Sequence, residues 1–193
     1  MLKFYQMKSK KIIFILFLLV AVLQLLAPTK MIYDQENTLK NGKALKFLTE
    51  PIDPNDPFRG KYINLNYNIN SFKTKDTIWE RKQDIYIYLN DSLGYATLKT
   101  VSKTKLEIDN NYVKTKVSWY NKYNNKLQFN LPFDRFYMEE SKAKPAEDLV
   151  RINNRRDSLE TNTTFALVYL DNDKFVLDNV FINDVSIKDL VDK

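Results

Sequence analysis

Residues 12–27 read IIFILFLLVAVLQLLA, an apolar run broken only by Gln24. Sixteen helical residues cover about 24 Å, short of the roughly 30 Å hydrocarbon core of a bilayer. Met31, Ile32 and Tyr33 extend the apolar length on one side, and Phe4, Tyr5 and snorkelling lysines serve the other. The pattern predicts an N-terminal transmembrane helix. Ile32, Glu36 and Leu39 are then spaced for a short helix or a stalk, and Asn41-Gly42 marks a turn. Leu45 and Phe47 begin a strand. A loop follows through Pro51, Asp53, Pro54, Asp56 and Pro57 to Arg59 and Gly60. Beyond it Ile63, Leu65, Tyr67 and Ile69 alternate with Asn64, Asn66, Asn68 and Asn70, the mark of a half-buried strand with one wet face. By parity, Tyr62 points away from Leu65 and Tyr67.

The remaining pattern is sustained β. Residues 72–83 are polar around Trp79 and read as a long loop or an irregular edge. Strands are expected at 84–90, 95–101, 106–108, 112–120 and 127–133, with Val113, Val117 and Trp119 on one face of the fourth. One helix is expected near 145–157. Pro145 suits its first position, Glu147 and Asp148 its positive end, Arg155 and Arg156 its negative end, and Ala146, Leu149 and Ile152 would pack on the sheet. A hairpin follows, 163–170 with 174–181 across Asp171-Asn172-Asp173, and Asn183-Asp184 turns before Val185 and Ile187. The fold class is therefore mainly β (α+β): a mostly antiparallel sheet or partly open barrel with one packed helix, behind a transmembrane helix.

Charge sharpens the division of the chain. The formal net charge is +6, but Lys3, Lys8, Lys10, Lys11 and Lys30 precede any acid, which leaves the body near neutral, at about +1. A balanced body argues against a nucleic-acid surface. Lysines before the apolar run keep the N-terminus cytoplasmic and send the C-terminal body across the membrane. The run ends Leu25-Leu26-Ala27-Pro28, a poor cleavage site for a secretory signal, so an uncleaved anchor is expected. We expect a cytoplasmic tail and anchor over 1–30, a stalk over 31–42 and an exported β-rich domain over 43–193, periplasmic or otherwise extracytoplasmic, on a cell inner membrane.

The chain has no His and no Cys, so it lacks thiolate and imidazole ligands, Cys nucleophiles and any His general base. With three Gly, it has no Gly-rich phosphate cradle, and its turns must be built mostly from Asn and Asp. No cofactor or metal is expected. Asp171-Asn172-Asp173 lacks the Gly and terminal Glu of a calcium loop and reads as a turn.

Gly60-Lys61-Tyr62-Ile63-Asn64-Leu65-Asn66-Tyr67 resembles the signature of the GDYXXLXY family, membrane-anchored bacterial proteins named after that motif. The resemblance extends to the apolar N-terminus, to Pro51-Ile52-Asp53-Pro54, to Arg59-Gly60, to Arg135-Phe136-Tyr137-Met138-Glu139-Glu140, and to an acidic residue near Glu147. Lys61 stands where the family name has Asp. The resemblance implies topology and compartment rather than a reaction. It also implies a multi-spanning membrane protein as partner, since family members tend to occur beside or fused to such proteins.

Asp53, Asp56, Arg59 and Gly60 are candidates for meeting a partner, with Tyr62, Leu65 and Tyr67 of the strand and Arg135, Glu139 and Glu140 of the later block. Each also has a plain structural role. Gly60 suits a tight turn, the Asp/Arg set suits loop stabilisation, Leu65 and Tyr67 suit the core, and the later charges suit a solvated edge. Glu139 and Glu140, as neighbours in a strand, would point to opposite faces and not share acid/base work. The leading reading is a non-catalytic binding or assembly module. The alternative is a membrane-anchored hydrolase, carboxylate-based or resembling type I signal peptidases, which share the plan of one anchor and an exported β domain and use Ser and Lys. Here the first serine after the anchor is Ser71, on the same strand face as Lys73.

Overall fold

The computed structural model describes residues 2–50, 62–108, 111–139, 141–142, 145–146, 148–149 and 163–191. A single helix, α1 (Leu2–Asn41), carries the apolar run and continues through Pro28 to the first strand. At 1.5 Å per residue it is about 60 Å long. Pro28 offers no N–H to the helix, and the hydroxyl of the next residue, Thr29, donates to the Leu25 carbonyl one turn back at 2.8 Å. Residues 31–42, expected as a short helix or a stalk, are mainly the last turns of α1. The helix closes where the Gly42 amide donates to the Thr38 carbonyl at 2.9 Å. A Cβ at Gly42 would collide with that carbonyl and press on the Leu170 backbone, which accounts for a glycine there.

Twelve strands follow among the described residues: β1 (Lys43–Glu50), β2 (Tyr62–Asn64), β3 (Asn66–Tyr67), β4 (Ser71–Lys73), β5 (Asp84–Ser92), β6 (Tyr95–Ser102), β7 (Tyr112–Asn121), β8 (Lys126–Phe129), β9 (Arg135–Tyr137), β10 (Thr164–Asp171), β11 (Lys174–Ile182) and β12 (Val185–Ser186). A short helix, α2 (Ile187–Val191), ends the described chain. The main sheet runs β12-β11-β10-β1-β6-β5-β7-β8-β4 without closing, with β3 added to the end of β1. Among the described pairs only β1 with β6 is parallel. The sheet is thus the mostly antiparallel one its alternation implies. Its tight turns use Asn125, Asn172, Asn183 and Asp184 at positive φ, residues that tolerate the left-handed region.

One face of the sheet holds the core. Leu45, Phe47, Ile85, Ile87, Val113, Leu127, Phe129, Val168, Leu170 and Val180 are buried in it. Ala146 is buried against the same core and Leu149 packs on it, both in helical turns inside the expected 145–157 helix. Glu147, Ile152, Arg155 and Arg156 lie outside the described residues.

Two expectations need correction. Val113 and Val117 face inward, but Trp119 does not, being 41% exposed. The register of β7 on β8 shifts between Val117 and Trp119, and the extra residue of a bulge moves every later side chain to the other face. Tyr120 packs on the core instead. Residues 106–108 form no strand. The Leu106 amide donates to the Tyr88 hydroxyl at 2.6 Å, so a side chain supplies the partner that a ladder would have offered.

Candidate functional site

The signature stretch spans two strands. β2 pairs with β9, in the register Tyr62 with Tyr137, Ile63 with Phe136 and Asn64 with Arg135. At Leu65 it changes partner, and β3 pairs with β1 through Thr49 and Tyr67. Leu65 itself donates its amide to the Asp134 carbonyl at 2.7 Å. The alternation survives the switch, with Ile63, Leu65, Tyr67 and Ile69 all buried. Sequence parity therefore placed the inner side chains correctly, while the change of partner had no local signal.

The inner face locks the ribbon. Tyr67 is 3% exposed and its hydroxyl donates to the Phe133 carbonyl at 2.8 Å. Burial, and secondarily the Asp134 carboxylate, pushes the Tyr67 phenol far above the ordinary tyrosine range, so it stays a neutral donor. Phe47, Tyr67 and Phe133 meet edge to face with centroids 5.0 to 5.8 Å apart, and Phe175 adds to Phe133 at 5.3 Å. Phe136, on the same side of β9, is buried.

The outer face of the ribbon is a small, ordered set of groups, with Arg135 and Tyr137 exposed and Tyr62 half-buried. Tyr62 and Tyr137 lie 5.4 Å apart as a cross-strand pair, and the Arg135 guanidinium carbon sits 5.1 Å from the Tyr62 ring centroid. Arg135 Nε is 4.0 Å from the Asp134 carboxylate, with both side chains about half exposed. A hydrogen bond with the Tyr137 side chain, followed by the electrostatic influence of Tyr62 and Asp134, holds the Arg135 pKa above its usual value. The result is a permanently charged planar fork, held between two phenols and open to solvent. Such a fork suits bidentate contact with a carboxylate or a similar planar acceptor. Beside it lies a groove of about 500 Å³ whose walls include Phe133, Arg135, Tyr137, Phe175, Leu177 and, from the last turns of α1, Gln35.

The remaining candidates divide. Asp53, Asp56, Arg59 and Gly60 lie outside the described residues, as do Lys61 and Glu140. Glu139 is exposed and local in its contacts, accepting from Ser141 at 3.1 Å and facing Lys142 at 3.9 Å. Ser71 and Lys73 lie on β4, at the edge of the main sheet, paired with Gln128 and Lys126 of β8. Tyr137 and Asn64 joined the outer face without having been singled out. The sequence signal for Tyr137 was its place inside the second motif block, and for Asn64 its place on the wet face of the alternating strand.

The family model for GDYXXLXY protein matches residues 24–168. The chain belongs to the GDYXXLXY family. The matched region begins within α1 and runs into β10, so it takes in both motif blocks that β2 and β9 bring side by side. Of the positions named in the signature of the GDYXXLXY family, Leu65 and the second tyrosine, Tyr67, are interior, whereas the first, Tyr62, is half-buried on the opposite face and packs with Arg135. No curated protein and no solved structure matches the chain.

Proposed function

We propose that the chain is a single-pass membrane protein, N-terminus cytoplasmic, whose exported β domain is a binding or assembly module for a multi-spanning membrane partner. The partner meets it at the outer face of the β2–β9 ribbon. The observation that carries this reading is the pairing of Tyr62-Ile63-Asn64 with Arg135-Phe136-Tyr137. Two segments far apart in the chain are bolted together from inside by Tyr67, Phe133 and Phe136, yet present Tyr62, Arg135 and Tyr137 outward. Tyrosine and arginine on a rigid support are the side chains that anchor interfaces. Asp53, Asp56 and Arg59 belong to the same reading, since they stand shortly before Tyr62 in the sequence.

α1 is long and apolar enough to cross a membrane, and the lysines before its apolar run support the cytoplasmic placement of the N-terminus. The hydrolase alternative has less support, because Lys73 is exposed on β4, at the edge of the main sheet.

Mild crosslinking in native membranes, followed by purification, tests the proposal. A reproducible partner band is expected that weakens in Arg135→Ala and Tyr137→Ala variants of unchanged thermal stability. An unchanged band in both would overturn the assignment of the face. A reporter fused after Lys193 that is active only in the cytoplasm would overturn the topology.

A further inference from the structure

A second site follows from how α1 enters the domain. The helix is unbroken from the apolar run to Asn41, so each residue past the run stands a fixed 1.5 Å further from the bilayer along the axis. Counting about 30 Å of hydrocarbon from Ile12 puts the boundary near Met31. Asp34 then stands about 4 to 5 Å beyond it, inside the head-group layer, which is roughly 5 to 7 Å deep on each side. The β10–β11 hairpin is clamped at that height. Lys174 Nζ, at the start of β11, lies 3.0 Å from Asp34 Oδ1, and both side chains keep substantial contact with solvent. Between helix and hairpin opens a hollow of about 250 Å³, lined by Met31, Asp34, Gln35, Lys174, Phe175 and Val176. Met31, at the membrane end, is strongly exposed, and Phe175 is also open to solvent.

We infer that this hollow is a phospholipid head-group site, selective for a zwitterionic head group with a primary ammonium. The anion and cation of such a head group match the Asp34–Lys174 pair with reversed order. Its ammonium donates to the Asp34 carboxylate and its phosphate accepts from the Lys174 ammonium, while the glycerol end lies on Met31 and Phe175. A quaternary ammonium has no N–H for Asp34, and an anionic head group without a cation leaves that carboxylate facing a phosphate. Phosphatidylethanolamine is therefore preferred to phosphatidylcholine and to phosphatidylglycerol. The inference rests on α1 spanning the membrane. It uses neither Tyr62, Arg135 nor Tyr137, although Gln35 and Phe175 also line the groove beside them.

The full chain is reconstituted into vesicles of phosphatidylcholine alone, or mixed equally with phosphatidylethanolamine or phosphatidylglycerol. The protein has no cysteine, so an Asn172→Cys variant carries one label at the hairpin turn and a Tyr123→Cys variant one at the opposite end of the sheet. Head-group spin-labelled lipid is expected to quench the label at position 172 and to spare the one at 123. Mass spectrometry of co-purified lipid is expected to show phosphatidylethanolamine enriched about threefold, the scale of one exposed ion pair. Asp34→Asn and Lys174→Gln should each remove that enrichment. If carbonate extraction strips the chain from vesicles, the spanning reading fails and the site with it. If the chain stays inserted but position 172 is unquenched, or the enrichment is absent or survives both substitutions, the site alone is overturned.

Discussion

The hydroxyl of Tyr67 donates to the carbonyl of Phe133 at 2.8 Å in the buried interior. This bond joins the last residue of the signature stretch to the residue two before Arg135, and so sets the height at which β9 meets β2. A Tyr67→Phe variant leaves the Phe133 carbonyl buried without that donor, at a cost of about 1 to 3 kcal/mol. Tyr67→Ala also removes the ring from the Phe47–Phe133 cluster and should cost about 3 to 5 kcal/mol. Urea unfolding in detergent measures both, and equal stability of wild type and Tyr67→Phe would show the bond to be inconsequential.

The close approach at Gly42 predicts a backbone effect with no side-chain interaction lost. A methyl group there meets the Thr38 and Leu170 carbonyls, so the helix end or β10 must shift. Gly42→Ala should destabilise by about 1 to 3 kcal/mol, the usual range for overpacking. The neighbouring exposed Asn41→Ala should change stability by about 0.5 kcal/mol or less. Thermal unfolding of the two variants side by side distinguishes them.

The bulge in β7 predicts an inverted sensitivity to truncation. Val117→Ala removes part of a fully buried side chain and should cost about 1 to 3 kcal/mol. Trp119→Ala removes a much larger but substantially exposed one and should cost less than about 1 kcal/mol. A greater loss at Trp119 than at Val117 in denaturant unfolding would place the tryptophan in the core after all.

The dependence of stability on pH follows from the surface carboxylates. Asp84, bonded to Lys114 and near Lys116, is held below the ordinary value. Asp76 is lowered by Lys103 and the Ile78 amide, and Asp91 by Lys43 and the Gly94 amide. A lowered folded pKa adds stability that is present above the unfolded value of about 3.9 and lost as pH falls through the lower folded value. Lys105, Lys114 and Lys174 are raised, so their contribution is complete below the unfolded value and lost as pH rises through a folded value above 10.5. With no histidine, a flat plateau is expected from about pH 5 to 9. The melting temperature should then fall below about pH 4, less steeply in Asp84→Asn and in high salt. A step near pH 6 would contradict this picture.

Several features could be read without coordinates because the residues that encode them are neighbours. The apolar run of α1 is a property of consecutive side chains. So is the alternation that buries Ile63, Leu65, Tyr67 and Ile69, since strand geometry turns parity into facing wherever the strand goes. Asn172 and Asn183 advertised their turns because the tolerance of positive φ belongs to the residue itself. The candidate site was half legible. Tyr62 was placed outward by parity and Arg135 was picked out by its motif, but nothing in either segment showed that one would lie over the other.

What local pattern lacked was the partner of each strand. Leu65 hands the signature from β9 to β1, the β7 bulge turns Trp119 outward, and Lys174 reaches Asp34 across 140 positions of sequence. Each depends on which segments come together when the core closes, and that is settled by the packing of the whole chain. A helix long and apolar enough to span a membrane, and the facing of the strands, are thus written along the chain, in hydropathy and period two. The Tyr62–Arg135–Tyr137 face and the junction of α1 with its hairpin exist only once distant strands pair, because a hydrogen-bonded ladder fixes neighbours that no short stretch of sequence can name.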